Sequence, residues 1–364
     1  CLPFEWIAEP TVGDFSQRVR TREGTAAPWP TSGIPRHDMR TSVFRPSVRA
    51  WQTEPVSLPP DASSSAARLR SPASDSAEDP PAHGAVYGAP SNAHGIPSAP
   101  SSHGFGGFSF PHAFGVADAD SVIASCGDLD AVFPMASVTK AVAALSALIA
   151  VERRLISLED PAGPPGSTVR HLLAHASGLP FEGGAAISPP GRRRVYSNLG
   201  FEVLGERVEA ATGVGIREWM EEAVLIPLGM SATAIPGSPA HSGEGSVRDL
   251  LALGRELLAP TLISADLHTE ATSPQFPGIS GILPGYGRQA DNAWGLGVEI
   301  RDHKAPHWTG VSFSPRAFGH FGQAGSFLWV DPDAGRTGAF LGAKPFGTEH
   351  AEAWPALTDA MRAM

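Results

Sequence analysis

The stretch "FPMASVTKAVAALSALIAVERR", residues 133–154, contains the helical pattern from which the fold and the candidate site can be predicted. From Val138 onward, apolar residues recur at intervals of three and four, which is typical of a helix with a buried face. A proline precedes the run, and Arg153 and Arg154 lie at its end, where positive charge is favoured. The pattern predicts a buried helix that begins near Val138, with Ser137 at its positive end.

Ser137 and Lys140 are three residues apart in this run, and the chain has only two other lysines, Lys304 and Lys344. Side chains three apart share a helix face, so the hydroxyl and the amine can meet. A buried lysine with a lowered pKa can take the proton of a serine and make it a nucleophile. The alternative is that Ser137 only caps the helix and Lys140 lies at the surface. A Ser-x-x-Lys pair is common by chance, so other motifs must decide.

The first part of the chain, residues 1–104, differs in composition from the rest. It is rich in Pro, Ser, Ala, Gly and Arg, contains no Lys, and shows no sustained apolar period. Such a segment buries too little apolar surface to offset chain entropy. We predict a low-complexity, mostly disordered extension, the alternative being a segment that is not a natural extension of the protein. Residues 105–364 are long enough for one catalytic unit.

Composition excludes several classes of partner. The net charge is −10, and the only basic cluster is at 191–194, so no nucleic acid partner is expected. The two cysteines, Cys1 and Cys126, imply neither a disulfide framework nor a cysteine metal site. No apolar run reaches about 18 residues, so no membrane span is expected. No signal peptide is recognisable, which slightly favours the cytoplasm while leaving the compartment and the oligomeric state open.

The order of predicted elements indicates an α+β fold. Strand patterns lie at both ends of residues 105–364, and helical patterns lie between them. The predicted strands are His112 to Ala119, Ser121 to Asp128, Trp294 to Ile300, Arg316 to Gly322, Ser326 to Asp331 and Thr337 to Ala343. We expect one antiparallel sheet from 105–160 and 285–364, flanked by helices, and a mainly helical part over 161–284. The active site would lie in the seam between them.

Two further short motifs carry chemical side chains. Tyr196 and Asn198 lie in a loop just before a predicted helix. Tyr196 could pass a proton if a neighbouring cation lowered its pKa, and Asn198 can hydrogen-bond a substrate; alternatively, Tyr196 packs and Asn198 caps the helix. His320 and Gly322 share one side of a predicted strand, where glycine permits close approach of another backbone. Taken alone, His320 is more often structural.

Together, Ser137-Val138-Thr139-Lys140, Tyr196-Ser197-Asn198 and His320-Phe321-Gly322 resemble the three ordered motifs of the penicillin-recognising serine hydrolases. This superfamily includes class C β-lactamases, family VIII carboxylesterases and DD-peptidases whose third motif is His-Thr-Gly. The resemblance runs from about Phe110 to the C-terminus and implies a β-lactamase/DD-peptidase-like fold.

The resemblance also implies roles for individual residues. Ser137 would be the acylated nucleophile, Lys140 its activating partner and Tyr196 the proton shuttle. The substrate would be held by Asn198, His320, Gly322 and Gln323, with the backbone N–H groups of Ser137 and Gln323 forming an oxyanion hole. No cofactor or metal is implied.

The third motif departs from the usual Lys-Thr-Gly of β-lactamases. Phe321 has no hydroxyl, and His320 is only partly charged near neutral pH, so recognition of a substrate carboxylate should weaken. We therefore expect a carboxylesterase acting on small esters or amides. The alternatives are a β-lactamase, a DD-carboxypeptidase or penicillin-binding protein, and a catalytically silent binding protein with the same fold.

Other candidate sites are less convincing. His171 and His175 have the spacing of a zinc-binding helix but no acid between them, so packing or helix hydrogen bonding is the expected role. The chain has no Gly-x-Ser-x-Gly motif, which argues against an α/β-hydrolase.

Overall fold

The structure, a computed structural model, describes residues 107–364. The predicted extension over residues 1–104 therefore lies outside the described residues. In the described part, no helix is long and apolar enough to cross a membrane.

Seven α-helices and ten strands follow one another along the described residues. The strands are β1 (His112–Ala117), β2 (Val122–Cys126), β3 (Phe133–Pro134), β4 (Glu244–Gly245), β5 (Gly281–Leu283), β6 (Gly287–Gln289), β7 (Glu299–Ile300), β8 (Phe318–Gly322), β9 (Ser326–Asp331) and β10 (Arg336–Gly342). The helices are α1 (Thr139–Glu152), α2 (Val169–Leu173), α3 (Asn198–Thr212), α4 (Ile216–Met220), α5 (Val247–Leu258), α6 (Ala265–Ala271) and α7 (Thr348–Arg362).

The main sheet has six antiparallel strands in the order β2-β1-β10-β9-β8-β7. Strand β1 pairs with β10 along its whole length, from His112 opposite Gly342 to Ala117 opposite Thr337. The predicted antiparallel sheet built from both ends of this part of the chain is therefore confirmed, as is the α+β class.

Helices cover both faces of the sheet and produce two cores. Helix α5 packs on β1, β9 and β10, and the core on that side is largely aliphatic. Helix α7 packs on β1 and β10 over a core rich in aromatic rings, including Phe327, Phe340 and Trp354. Helix α1 lies in the aliphatic core, and residues 139–150 are all buried. The sequence pattern predicted a single buried face, whereas the surrounding helices and sheet cover this helix on every side.

Some element predictions were incomplete. Of the strand predicted over Trp294 to Ile300, only Glu299–Ile300 pairs in the sheet, because Gly297 (φ +87°) turns the preceding chain. Helix α6 and the β5–β6 hairpin were not predicted; they are short, with no sustained apolar period. The amphipathic pattern of residues 351–364 predicts a final helix, and α7 begins three residues earlier, at Thr348.

The end of β8 packs directly against the turn that leads into α1. The Ser326 hydroxyl donates to the Met135 carbonyl at 2.7 Å and ties this turn to the sheet. A Cβ at Gly322 would collide with the Met135 carbonyl oxygen and would lie 2.5 Å from Ser326 Oγ and 3.1 Å from Ser137 N. Only glycine lets the strand and the turn approach so closely.

We predict that Gly322→Ala lowers the free energy of unfolding by about 1–3 kcal/mol, because backbone atoms must move to admit the methyl group. Urea unfolding would measure this change. The matched control is Gly347→Ala, since the nearest atom to a Cβ there is 4.0 Å away and its φ of −165° suits any residue. Equal unfolding midpoints for the two variants would contradict the close approach.

Candidate active site

Ser137 lies in a short 3₁₀ turn, Ala136–Val138, that runs into α1. Ala136 has a φ of +44°, a left-handed conformation that is costly for a residue other than glycine and that clusters at functional sites. The turn is held by hydrogen bonds from the Met135 N–H to the Gly243 carbonyl (2.7 Å) and from Thr139 Oγ1 to the Ala136 carbonyl (2.6 Å). Val138 occupies the cap position of α1, so the alternative that Ser137 caps this helix is wrong.

Lys140 is fully buried and contacts three oxygen atoms. Its Nζ lies 2.5 Å from Asn198 Oδ1, 2.9 Å from the Ala240 carbonyl oxygen and 3.5 Å from Ser137 Oγ. The amide and carbonyl oxygens can only accept hydrogen bonds. A neutral amine would therefore donate its two protons to them, which leaves its lone pair to face the serine hydroxyl.

The surroundings of Lys140 favour that neutral form. Burial lowers the pKa of Lys140 to about 7, although the negative charge of Glu202 opposes the shift. At neutral pH, a large fraction of the amine is consequently free to accept a proton. The alternative of a surface lysine is wrong.

Tyr196 lies in the turn that precedes α3, and Asn198 is the first residue of that helix. The Ser197 hydroxyl caps α3 by accepting the Gly200 N–H at 2.8 Å, so the alternative that Asn198 is the cap is wrong. The Asn198 side chain faces Lys140 and places its Nδ2 3.5 Å from a carboxylate oxygen of Glu182.

The Tyr196 hydroxyl is positioned between Ser137 and His320. Burial raises the pKa of Tyr196, and a hydrogen bond with Ser137 only partly opposes this shift. A cation does lie close, with Lys140 Nζ 4.8 Å from the centre of the ring, but the pKa of Tyr196 is raised and not lowered. The phenol is neutral, and Lys140 is the better proton acceptor beside Ser137.

His320 is 3% exposed and has a fixed orientation. Its Nδ1 lies 2.7 Å from the Phe321 carbonyl oxygen, which can only accept, so Nδ1 carries the proton. The unprotonated Nε2 faces the Tyr196 hydroxyl at 3.5 Å and can accept from it. Burial, together with the charge of Lys140, lowers the pKa of His320 to about 3. The imidazole is thus neutral near pH 7 and not partly charged as predicted.

Phe321 points to the opposite face of β8. Its ring packs in the aromatic core against Tyr286, Trp308, Phe346 and Trp354, with centroid distances between 5.3 and 6.1 Å. The third motif consequently presents a neutral imidazole on one side and an apolar ring on the other.

The two predicted oxyanion donors belong to neighbouring segments. The position of a Cβ on Gly322 would be 3.1 Å from Ser137 N, so the end of β8 lies beside the turn that carries Ser137. The following residue, Gln323, accepts the Phe346 N–H at 2.8 Å through its carbonyl and is thereby anchored. The use of the Ser137 and Gln323 N–H groups as an oxyanion hole remains a prediction.

Four groups near the site were missed as functional candidates. The Ala240 carbonyl and Glu202 both act on Lys140, while His175 and Trp294 pack against Tyr196 with ring centroids 4.5 and 5.8 Å away. Only Glu202 left a signal in the sequence, since it follows Asn198 by four residues and so shares its helix face. His175 packs as predicted, and His171 hydrogen-bonds Thr168 Oγ1 at 3.0 Å.

A buried carboxylate lies behind β8. Glu299 contacts Lys304 Nζ at 3.0 Å, His307 Nε2 at 3.1 Å and Trp308 Nε1 at 2.7 Å. Burial raises the pKa of Glu299, but Lys304 and His307 outweigh burial and lower it overall. This cluster is internally compensated, so Lys304 is not available to a substrate.

The fold and the arrangement of Ser137, Lys140 and Tyr196 are those expected of a serine hydrolase with the β-lactamase fold. Residues 106–362 match the family model described as Beta-lactamase. The chain belongs to this family, and the resemblance noted in its motifs is confirmed.

Known structures and proteins agree with this assignment. A β-lactamase from Mycobacterium bovis is 48% identical, with a TM-score of 0.70 over 71% of this chain and 96% of that one. The D-alanyl-D-alanine-carboxypeptidase/endopeptidase AmpH of Escherichia coli is 30% identical over 30% of this chain and 38% of its own length. Penicillin-binding protein 4* of Bacillus subtilis is 27% identical over 29% of this chain and 31% of its own. The chain thus spans about a third of the length of these last two relatives.

The lysine geometry predicts how the reactivity of Ser137 depends on pH. The rate constant for modification of Ser137 by a sulfonyl fluoride should rise with pH through about 7, because the neutral amine is the base. In Glu202→Gln, loss of the negative charge that favours the ammonium form should move this midpoint to lower pH.

Glu206→Gln is the control for this experiment, because Glu206 lies one turn further along α3 and is exposed. Its midpoint should equal that of the unmodified protein. A midpoint that stays fixed in Glu202→Gln, or that moves to higher pH, would contradict the assignment of the base.

Proposed function

We propose that this protein is a carboxylesterase that forms an acyl-enzyme at Ser137 and hydrolyses small esters of uncharged acids. Lys140 takes the proton of the Ser137 hydroxyl as Oγ bonds to the ester carbonyl carbon. The N–H groups of Ser137 and Gln323 stabilise the resulting oxyanion, where one such donor contributes about 3–4 kcal/mol. Asn198 holds the acyl side of the substrate.

Collapse of the tetrahedral intermediate breaks the bond between the carbonyl carbon and the alcohol oxygen. The departing alkoxide takes a proton from the neutral Tyr196 hydroxyl, and the Lys140 ammonium restores that proton. Water then attacks the acyl carbon while Lys140 again accepts a proton. As the bond between that carbon and Ser137 Oγ breaks, the Lys140 ammonium returns the proton to Oγ, which releases the acid and free Ser137. The steps need no metal or cofactor.

The observation that carries the proposal is the neutral third motif. His320 is fixed between its neighbour's carbonyl and the Tyr196 hydroxyl, with its pKa lowered to about 3, so it offers no positive charge to a substrate carboxylate. Phe321 adds no hydroxyl. In addition, the exposed carboxylate of Glu182 lies beside Asn198 and disfavours an anionic acyl group.

A β-lactamase is the second candidate function, because the 48% identical protein of Mycobacterium bovis bears that description. A DD-carboxypeptidase or penicillin-binding protein follows from the Escherichia coli and Bacillus subtilis relatives, over the shorter stretches they share with this chain. A silent binding protein would keep the fold without an acylated serine.

Three substrates separate these functions when initial rates are measured side by side: p-nitrophenyl butyrate, p-nitrophenyl hemisuccinate and a chromogenic cephalosporin. The butyrate ester should be preferred over the hemisuccinate by about tenfold or more in kcat/KM, because the third motif offers no positive charge to the carboxylate of the hemisuccinate. The cephalosporin should be the poorest substrate.

Ser137→Ala should lower the rate with the butyrate ester by about 10³-fold or more, while leaving the unfolding midpoint unchanged. Preference for the cephalosporin would favour the β-lactamase. Release of D-alanine from a peptide ending in D-Ala-D-Ala, without ester turnover, would favour the peptidase, and no turnover of any substrate would favour the silent protein.

A further inference from the structure

His175 is buried, with 1% of its surface exposed, and it packs against the segment that carries Tyr196. It belongs to none of the three motifs. Its ring centroid lies 4.5 Å from that of Tyr196, 4.7 Å from that of Trp294 and 5.3 Å from that of Phe201. The ring of Tyr196, whose hydroxyl hydrogen-bonds Ser137, therefore packs directly against the ring of His175.

Two hydrogen bonds from the tyrosine segment end on His175. The Val195 N–H donates to the His175 carbonyl at 2.9 Å, and the Ser197 N–H donates to its Nδ1 at 3.2 Å. These donors are the residues immediately before and after Tyr196. One residue therefore anchors the backbone on both sides of the tyrosine.

The hydrogen bond from Ser197 fixes the state of the imidazole. Because Nδ1 accepts a hydrogen bond, it carries no hydrogen itself, and the neutral ring has its hydrogen on Nε2. Burial lowers the pKa of His175 well below its usual range, and the positive charges of Lys140 and Arg194 act in the same direction. Nδ1 is consequently an acceptor throughout the pH range in which the enzyme would work.

The backbone of His175 is also unusual. Its φ is +53°, a left-handed conformation that glycine and asparagine adopt far more readily than other residues. In this conformation, the carbonyl and the ring of His175 both accept hydrogen bonds from residues 195–197. The strained backbone is tolerated here, and the hydrogen bond to Nδ1 gives a structural reason for a histidine at this position.

We propose that His175 is a positioning residue for Tyr196, which it holds in register with Ser137 by accepting the Ser197 N–H at Nδ1. This inference rests on the proposed acyl transfer at Ser137. Because His175 contacts the segment of Tyr196, we expect its loss to lower kcat and to leave KM nearly unchanged.

A pair of amide substitutions tests the hydrogen bond. Asparagine places a polar atom near the position of Nδ1 and tolerates the left-handed backbone, whereas glutamine places its amide near Nε2. With p-nitrophenyl butyrate, His175→Gln should lower kcat about 10²-fold with KM within about threefold, as expected for a misplaced catalytic group. His175→Asn should restore at least about a tenth of the original kcat.

The same substitution in a Tyr196→Phe protein distinguishes a positioning role of His175 from a general loss of structure. If His175 acts through the tyrosine hydroxyl, His175→Gln should cost no more than about threefold in a Tyr196→Phe protein, where that hydroxyl is absent. His171→Gln, four residues earlier on the same segment, is the matched control and should leave kcat unchanged. Urea unfolding would establish that each variant is folded.

The inference is overturned if His175→Gln costs the same factor in both backgrounds, or if the Gln and Asn variants lose kcat equally. Hydrogen exchange at the Ser197 amide gives a readout independent of turnover, and protection should be lost in His175→Gln but retained in His175→Asn. Retained protection in the glutamine variant would also overturn the inference. Failure of the proposed function is distinct, because the unmodified protein would then fail to hydrolyse p-nitrophenyl butyrate, or Ser137→Ala would hydrolyse it at an undiminished rate.

Discussion

The burial of one amine, that of Lys140, is the constraint on which the rest of the site depends. An ammonium ion without solvent is costly, and a neutral amine still needs acceptors for its protons. The protein supplies them from distant parts of the chain, the Asn198 side chain and the Ala240 carbonyl. Because α1 is covered on every side, the lysine has no alternative path to water. The same packing that builds the aliphatic core therefore lowers the pKa of Lys140 and directs its lone pair to Ser137.

A second consequence of burial is the neutral character of the third motif. His320 faces Lys140 across the tyrosine, and two adjacent positive charges in a buried site would repel each other. The imidazole instead becomes a hydrogen-bond acceptor for Tyr196, while the phenol keeps its proton because burial raises its pKa. Proton acceptance is thereby concentrated on the lysine. The proposed preference for uncharged acyl groups follows from this distribution of charge. The buried Glu299 does not alter it, because Lys304 and His307 already compensate its charge.

Local regularities made part of this arrangement predictable. The spacing of Ser137 and Lys140 depends only on the helix period, and β9 was predicted with its observed bounds because alternation and turn signals agree there. The contact between Lys140 and the Ala240 carbonyl could not be predicted, because a backbone carbonyl is present at every residue and the two positions are 100 residues apart. The neutral state of His320 and the raised pKa of Tyr196 depend on burial, which spacing does not report. Likewise, the spacing of His171 and His175 indicated packing but could not show that the second histidine meets the tyrosine segment.

The most direct test of this account is an NMR titration of the lysine Cε resonances. The chain contains three lysines, so Lys140→Met would assign the resonance of interest without further labelling schemes. We expect the Cε shift of Lys140 to titrate with a midpoint of about 7, well below that of a lysine in water. A midpoint near the ordinary value of about 10.4 would mean that the amine is charged in the resting enzyme, and Lys140 could not then be the base that activates Ser137.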